Sequence, residues 1–398
     1  MTSKPCFIIK KNLQKSLQTG EYFSDQVTPK VLKDVCFKIT GKSDFDYKYV
    51  DNSFHNEEIG ATYNKGRLAI LYYNNNICYI TFSEVNVRGR NSSIQSVPTA
   101  FNLFYSNNKD NKSLYYYFLG TNGNLETFYH KFIYRLMKTV GFKFVNEEIL
   151  NDNIQPFTSI PDLMLSRRIN SGRNQSNNPT YITKSSSKNI DLYGKTYGAS
   201  KYETSLLCYA ISKIVQNNNA LITLYQVAEG NLQVLPQSSL DVIHNLGNIR
   251  IIQSNQQLER IAFRDNDSLR SPKYIYNLFE RIGEKRCALC GCEIPEIIQG
   301  AHILPVATIK KYNMSFEEKL AHATSGHNGL WLCENHHKLF DENIINISND
   351  GEVLISSNLN ENDKAFLSSI TTKSRISPKI MSESFVGYLQ QRNSVVNF

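Results

Sequence analysis

Half of the cysteines and most of the histidines of this 398-residue chain fall between Cys287 and His337. They are Cys287, Cys290, Cys292 and Cys333, with His302, His322, His327, His336 and His337. Cys6, Cys36, Cys78 and Cys208 are scattered elsewhere. Clustering of metal-ligand residue types is the strongest constraint on the fold. Cys287-x-x-Cys290 is a knuckle, two thiolates on a tight turn that can reach one ion. Cys333-x-x-His336 repeats that separation. Together they form a Cys3His set suited to tetrahedral Zn2+, and the soft sulfur donors disfavour Mg2+ or Ca2+. Such a site ties the start of a domain to its end and substitutes for a large core. Cys292 offers a substitute ligand.

A second constellation interleaves with the first. Ala301-His302-Ile303-Leu304-Pro305 places a histidine in a short β run stopped by proline. Asn328-Gly329 reads as a hairpin-turn dipeptide. Leu330-Trp331-Leu332 follows as an apolar strand, with the chain's single Trp packing under the zinc site. His337 and Asp341 are four residues apart, which puts them on one side of a helix. An imidazole and a carboxylate one turn apart can hold a divalent metal and leave positions open for phosphate and water. His327 reads as a loop residue and His322 as a surface one. Lys338 reads either as a phosphate contact or as a solvated side chain.

These residues resemble the HNH nucleases, the ββα-metal or His-Me finger group. More narrowly, they resemble the branch with a CxxC … AHI.P … NGL.LC..HH..FD pattern, found in bacterial restriction-type endonucleases. The resemblance covers about residues 280–358, including Ile345 to Ser356 as a closing hairpin with an Asp-Gly turn. It implies that His302 is the general base that deprotonates the attacking water, and that Asn328 fixes the loop and orients that base. It implies that His337 and Asp341 bind a catalytic Mg2+, and that the products carry a 5′ phosphate and a 3′ hydroxyl. Many HNH enzymes have a metal-binding Asp or His immediately before the base; this chain has Ala301, with Asp341 as the expected replacement. A histidine near its unperturbed pKa serves as a base at pH 7 to 8.

The expected fold class is α+β: an N-terminal mixed α/β DNA-recognition region and a C-terminal zinc-stabilised ββα-metal nuclease domain. The expected domains are 1–155, mixed α+β; 156–275, basic, loop-rich and helical; 276–358, the nuclease; and 359–398, a helical tail. Leu68–Tyr73 and Ile77–Phe82 read as a hairpin across Asn74-Asn75-Asn76. Phe128, Phe132, Leu136 and Val140 form one face of a helix that Gly141 ends. Residues 165–202 are polar, rich in Gly, Ser and Asn, and basic. Arg167, Arg168, Arg173, Lys184, Lys188 and Lys195 are there the expected DNA contacts, with Lys338 beyond. Arg250, Arg260, Arg264, Arg270, Arg281 and Arg286 are further candidates. The spacing of a Walker loop is absent, which excludes that mode of ATP binding.

The net charge of +8 permits a polyanionic partner. No run of about 18 apolar residues occurs, so no membrane span is expected. The apolar Phe7-Ile8-Ile9 stretch is too short for a secretory core, and a bacterial cytoplasmic location is expected. The leading expectation is a site-specific DNA endonuclease, a type II restriction enzyme acting as a homodimer on double-stranded DNA beside a companion methyltransferase. Other readings stay open. A modification-dependent enzyme would hold a flipped base in an aromatic pocket, and a homing nuclease would cut a long asymmetric site. A zinc-stabilised DNA-binding protein with an inactive HNH fold would show no metal-dependent turnover.

Overall fold

The computed structural model describes residues 269–395 without interruption, most of 128–267, and separate strand and helix segments before them. Two compact units emerge, each discontinuous in sequence. One comprises residues 1–177, 198–219 and 235–249; the other comprises 178–197, 220–234 and 250–398. Among the described residues no helix is long and apolar enough to cross a membrane.

The first unit carries a mixed sheet. Its strands are β1 (Cys6–Lys11), β2 (Lys48–Tyr49), β3 (His55–Asn56), β4 (Ala61–Asn64), β5 (Leu68–Tyr73), β6 (Asn76–Thr81), β7 (Ser113–Gly120) and β8 (Lys143–Val145). The order is β3-β4-β5-β6-β7-β1-β8, with β2 beside β5. β5 and β6 form the expected antiparallel hairpin, whereas β7 pairs in parallel with both β6 and β1. Helices α1 (Phe128–Thr139), α2 (Ile160–Ser171), α3 (Ser200–Ile214) and α4 (Gln237–Leu246) complete the unit. Phe132, Leu136 and Val140 are buried as the spacing predicts. Phe128 is 64% exposed, because the apolar stripe widens onto Ile133 and Met137 instead of running back one turn. Gly141, at φ 101°, ends the helix in a conformation that favours glycine.

The stretch expected to be a basic loop is largely regular structure, divided between the two units. Arg167 corrects the DNA-contact expectation directly. It is 3% exposed, and its Nη1 lies 2.7 Å from Oε1 of the equally buried Glu203, an ion pair between α2 and α3. That guanidinium has no surface to offer a phosphate. Arg168 lies on the same helix, α2. Arg173 lies outside the described residues.

The second unit opens with β9 (Thr180–Ser186), β10 (Asn189–Lys195), β11 (Leu221–Val227) and β12 (Ile249–Ser254, all but its first residue in this unit), in the order β12-β11-β10-β9. Lys184 lies on β9, Lys195 on β10, and Lys188 in the exposed turn between them. α5 (Gln256–Asp265) and α6 (Pro272–Ile282) follow. Ser271 caps α6 by accepting from the Tyr274 amide, Pro272 opens the helix, and Gly283 at φ 88° closes it.

The expected ββα unit comes next. β13 (Ile298–His302) and β14 (Gly329–Cys333) pair antiparallel, with His302 opposite Gly329. They are not joined by a tight Asn-Gly turn. The intervening residues form α7 (Val306–Lys311), α8 (Phe316–Thr324) and a 3-10 turn at Gly326–Asn328, and Gly329 is extended at φ −160°. Asn328 is therefore present for its side chain, not for its turn propensity. Helix α9 (Glu334–Asp341) leaves β14 directly, and the hairpin of β15 (Ile345–Ile347) and β16 (Val353–Ile355) follows, with Gly351 at φ 83°. α6 lies close against the ββ pair: a Cβ on Gly329 would stand 2.2 Å from the Tyr274 hydroxyl. Only glycine admits that approach.

The tail forms α10 (Glu361–Ile370) and α11 (Glu383–Val395). Phe385 and Leu389 of α11 share one apolar cluster with Tyr274, Leu278, Trp331 and Phe340. The tail is thus part of the core of the second unit. Phe385→Ala is expected to lower the unfolding free energy by about 3–5 kcal/mol. Denaturant unfolding followed by Trp331 fluorescence measures it, and an unchanged midpoint would show that α11 is dispensable.

Candidate active site and metal centre

Cys287, Cys290, Cys333 and His336 converge, with their ligand atoms all within 4.8 Å of one another. Cys333 Sγ and Cys287 Sγ lie 3.1 and 3.6 Å from His336 Nδ1, and Cys290 Sγ lies 3.9 Å from Cys333 Sγ. A tetrahedron built on Zn–S bonds of about 2.3 Å has edges of roughly 3.8 Å, so the four donors fit zinc. Burial raises the thiol of Cys290, to about 12, and that of Cys333, and Cys287 adds to both. Burial also opposes ionisation of Cys287, but His336 and nearby backbone bring that thiol down to about 6. A crowd of thiols in which one ionises readily and two resist is the electrostatic setting that a divalent cation relieves.

The knuckle has local causes. Gly291 at φ 72° lets its amide reach the Cys287 carbonyl at 2.9 Å. Cys292, which offered a substitute ligand, stands outside the group; its carbonyl accepts from the Cys287 amide at 2.8 Å. An outer layer comes from the tail. Thr371 Oγ1 lies 3.1 Å from His336 Nε2, leaving Nδ1 to the metal. Thr372 Oγ1 donates to the Cys290 carbonyl, and the Lys373 amide to that of Leu289. Trp331 is buried beside the knuckle, its carbonyl taking the Ala288 amide and its indole N–H reaching the Gly283 carbonyl.

His302 ends β13 with its ring stacked on Tyr274, centroids 4.0 Å apart and planes 11° apart. Its Nε2 lies 2.9 Å from the Ala323 carbonyl. A carbonyl only accepts, so Nε2 carries the hydrogen and Nδ1 of the neutral ring keeps its lone pair. Burial, with the charge of Arg270 and of a protonated His337 nearby, brings its pKa down to about 4. This corrects the expectation of a near-normal value. The ring is neutral throughout the physiological range but is a weaker base than an unperturbed histidine.

Asn328 is fully buried and staples the loop after β13. Its Oδ1 accepts from the Leu304 amide at 2.7 Å, and its Nδ2 donates to the carbonyls of Leu304 and His322 at 3.1 and 3.3 Å. The next residue along, Ala323, carries the carbonyl that orients His302. His337 and Asp341 face each other on α9, Nε2 to Oδ2 3.4 Å. An imidazole and a carboxylate one helical turn apart would supply two donors to a divalent cation. Burial lowers the pKa of His337, Asp341 opposes that, and Arg270 reinforces it. Ala301 is buried and gives only its backbone, its carbonyl taking the Tyr274 hydroxyl at 3.0 Å. Lys338 is exposed and paired with Glu342 on the outer face of α9.

Two arginines that sequence reasoning assigned to DNA or overlooked are inward structural ties. Arg281 donates to the carbonyls of Gly326 and Gly329, on either side of Asn328, at 2.7 and 3.0 Å. Arg392 donates to the carbonyls of Ile303 and Phe340, next to His302 and Asp341, at 3.0 and 2.6 Å. Arg260, Arg264 and Arg286 form exposed ion pairs with Glu317, Asp265 and Glu293. His322 and His327 turn toward the tail, to Tyr388 Oη at 2.7 Å and Ser382 Oγ at 2.8 Å.

The sequence model of the HNH endonuclease family matches residues 287–348, the stretch that holds the Cys3His group together with His302, Asn328, His337 and Asp341. No curated protein gave a match.

Two outcomes are expected. Cys290→Ser removes one donor of the Cys3His group; metal binding worth on the order of 10 kcal/mol is at stake, so metal analysis should fall from one zinc per chain and the second unit should lose its cooperative melting. Full zinc content with wild-type melting would refute that. For His302, the folded pKa is below the unfolded value of about 6.5. Its contribution to stability is therefore complete above about pH 6.5 and is lost as pH falls toward about 4, on the order of 3 kcal/mol. His302→Asn should flatten stability-versus-pH curves over that window relative to wild type.

Proposed function

We propose that this chain is a site-specific DNA endonuclease of restriction type that hydrolyses phosphodiester bonds. The observation that carries the reading is the setting of His302. Its Nε2–H is committed to the Ala323 carbonyl, so a free Nδ1 lone pair stands in the same site as the His337–Asp341 pair.

In this reading Nδ1 of His302 takes the proton of the attacking water. The resulting imidazolium is disfavoured by burial, and the anionic phosphodiester beside it supplies the compensating charge. Asn328 is a positioning residue: it holds the backbone that carries the orienting carbonyl. His337 and Asp341 would hold Mg2+ or another divalent cation. Such an ion supplies charge stabilisation at the phosphate and the leaving 3′ oxygen. Attack by water on phosphorus with release of the 3′ oxygen leaves 5′-phosphate and 3′-hydroxyl ends.

A module this small has little room for sequence readout, so the remainder of the chain is the proposed recognition region. Arg168, Lys184, Lys188 and Lys195 remain its candidate phosphate contacts. A single base of this kind cuts one strand at a time, so a symmetric homodimer is the economical way to break both strands of a palindrome. Restriction in a bacterial cytoplasm would require a companion methyltransferase to protect the host's own sites.

The test is digestion of methylated and unmethylated genomic DNA with Mg2+, followed by sequencing of fragment ends. Discrete ends from unmethylated DNA are expected. They should disappear in EDTA, fall at least ~10²-fold with His302→Ala while DNA binding persists, and require more Mg2+ with Asp341→Ala. Cutting confined to methylated DNA would favour a modification-dependent enzyme. Binding without cutting would favour the inactive fold.

A further inference from the structure

Arg270 stands just ahead of α6 and outside the segment that matches the HNH endonucleases. Its side chain is exposed, yet Nη2 reaches to 3.5 Å from His337 Nδ1. The same charge acts on His302 and on Tyr274, the ring stacked beneath that histidine. Arg260, Arg264 and Arg286 are each neutralised by a carboxylate, whereas among the described residues no ion pair involves Arg270.

A permanent cation in this position faces two imidazoles and a phenol. It opposes protonation of both imidazoles and repels any cation approaching the His337–Asp341 pair. What it favours is an anion beside the two imidazoles on which it acts. The guanidinium suits one anion class well: its planar fork matches the non-bridging oxygens of a phosphate, and it stays charged at any working pH.

We propose that Arg270 is a catalytic residue whose guanidinium donates to a non-bridging oxygen of the scissile phosphodiester. The proposal rests on the endonuclease reading. Arg270 neutralises the charge that builds on phosphorus as water attacks, while His302 takes the proton. It also explains why a cation is tolerated there: the substrate, not a protein carboxylate, is its counter-ion.

The experiment uses the full chain and a duplex carrying the cut site read from sequenced fragment ends. One version has the natural phosphate at the scissile bond; the other has a neutral methylphosphonate there. Affinity is measured in EDTA, where nothing is cut, and cleavage in Mg2+. Wild type should bind the phosphate duplex about tenfold more tightly than the methylphosphonate duplex, as a charge-assisted contact predicts. Arg270→Ala should bind both equally, within about twofold, and cleave ~10²–10³-fold more slowly. Arg270→Lys should recover part of both. Should the alanine variant fail to melt like wild type, Arg270→Gln takes its place. A variant that discriminates between the duplexes as wild type does, or cleaves at the wild-type rate, overturns the proposal while leaving the endonuclease standing. A wild-type protein that cuts no DNA overturns both.

Discussion

Closure of the Cys3His group is the constraint on which the C-terminal unit depends. Cys287 and Cys290 sit ahead of β13, while Cys333 and His336 sit where β14 passes into α9. One ion held by all four would fix the start of α9 against the knuckle. The direction of His337, the residue after His336, would then be set by that ligation. The structural metal and the proposed catalytic pair are thus consecutive residues on one short helix. An eight-residue helix has little stability of its own, and anchoring its first turn is what gives the second histidine a defined place.

Around that anchor, the backbone of the catalytic loops is held by side chains. Asn328 engages Leu304 and His322; Tyr274 engages Ala301; Arg281 engages Gly326 and Gly329; Arg392 engages Ile303 and Phe340. The carbonyls of Ala301, Ile303, Gly329 and Phe340 each adjoin a residue of the proposed chemistry. Buried carbonyls need partners, and here the partners come from three separated stretches: α6, the 3-10 turn and the C-terminal helix. Burial lowers the pKa of both arginines to about 10, still far above neutrality, so both remain charged ties. The site is consequently a property of the whole second unit, not of the matched segment alone.

Much of this centre was legible in the residue spacing. Paired C-x-x-C and C-x-x-H elements name a tetrahedral set, and i,i+4 spacing places His337 beside Asp341 whatever the surroundings. What spacing could not convey was direction. Arg167, Arg281 and Arg392 look like surface cations in a basic chain, but they point inward to Glu203 or to carbonyls, and only packing decides that. Asn328-Gly329 has the signature of a hairpin turn, yet the paired strands are separated by two helices, and the asparagine serves through its amide. The basic stretch after Ser166 read as loop because polar residues outnumber apolar ones. Its strands β9 and β10 are stabilised by pairing with each other and with β11, a non-local contact. The pKa of His302 was illegible for the same reason, since it depends on burial and on His337 and Arg270, which are remote in sequence.

Two metals with different duties are expected in one unit, one to build the site and one to work in it. Zinc content and activity measured together during brief EDTA treatment separate the two. One zinc per chain should survive the treatment, with DNA cleavage lost at once and restored by Mg2+ alone. Loss of zinc in step with activity, or active protein that contains no zinc, would show that the two duties are not separate.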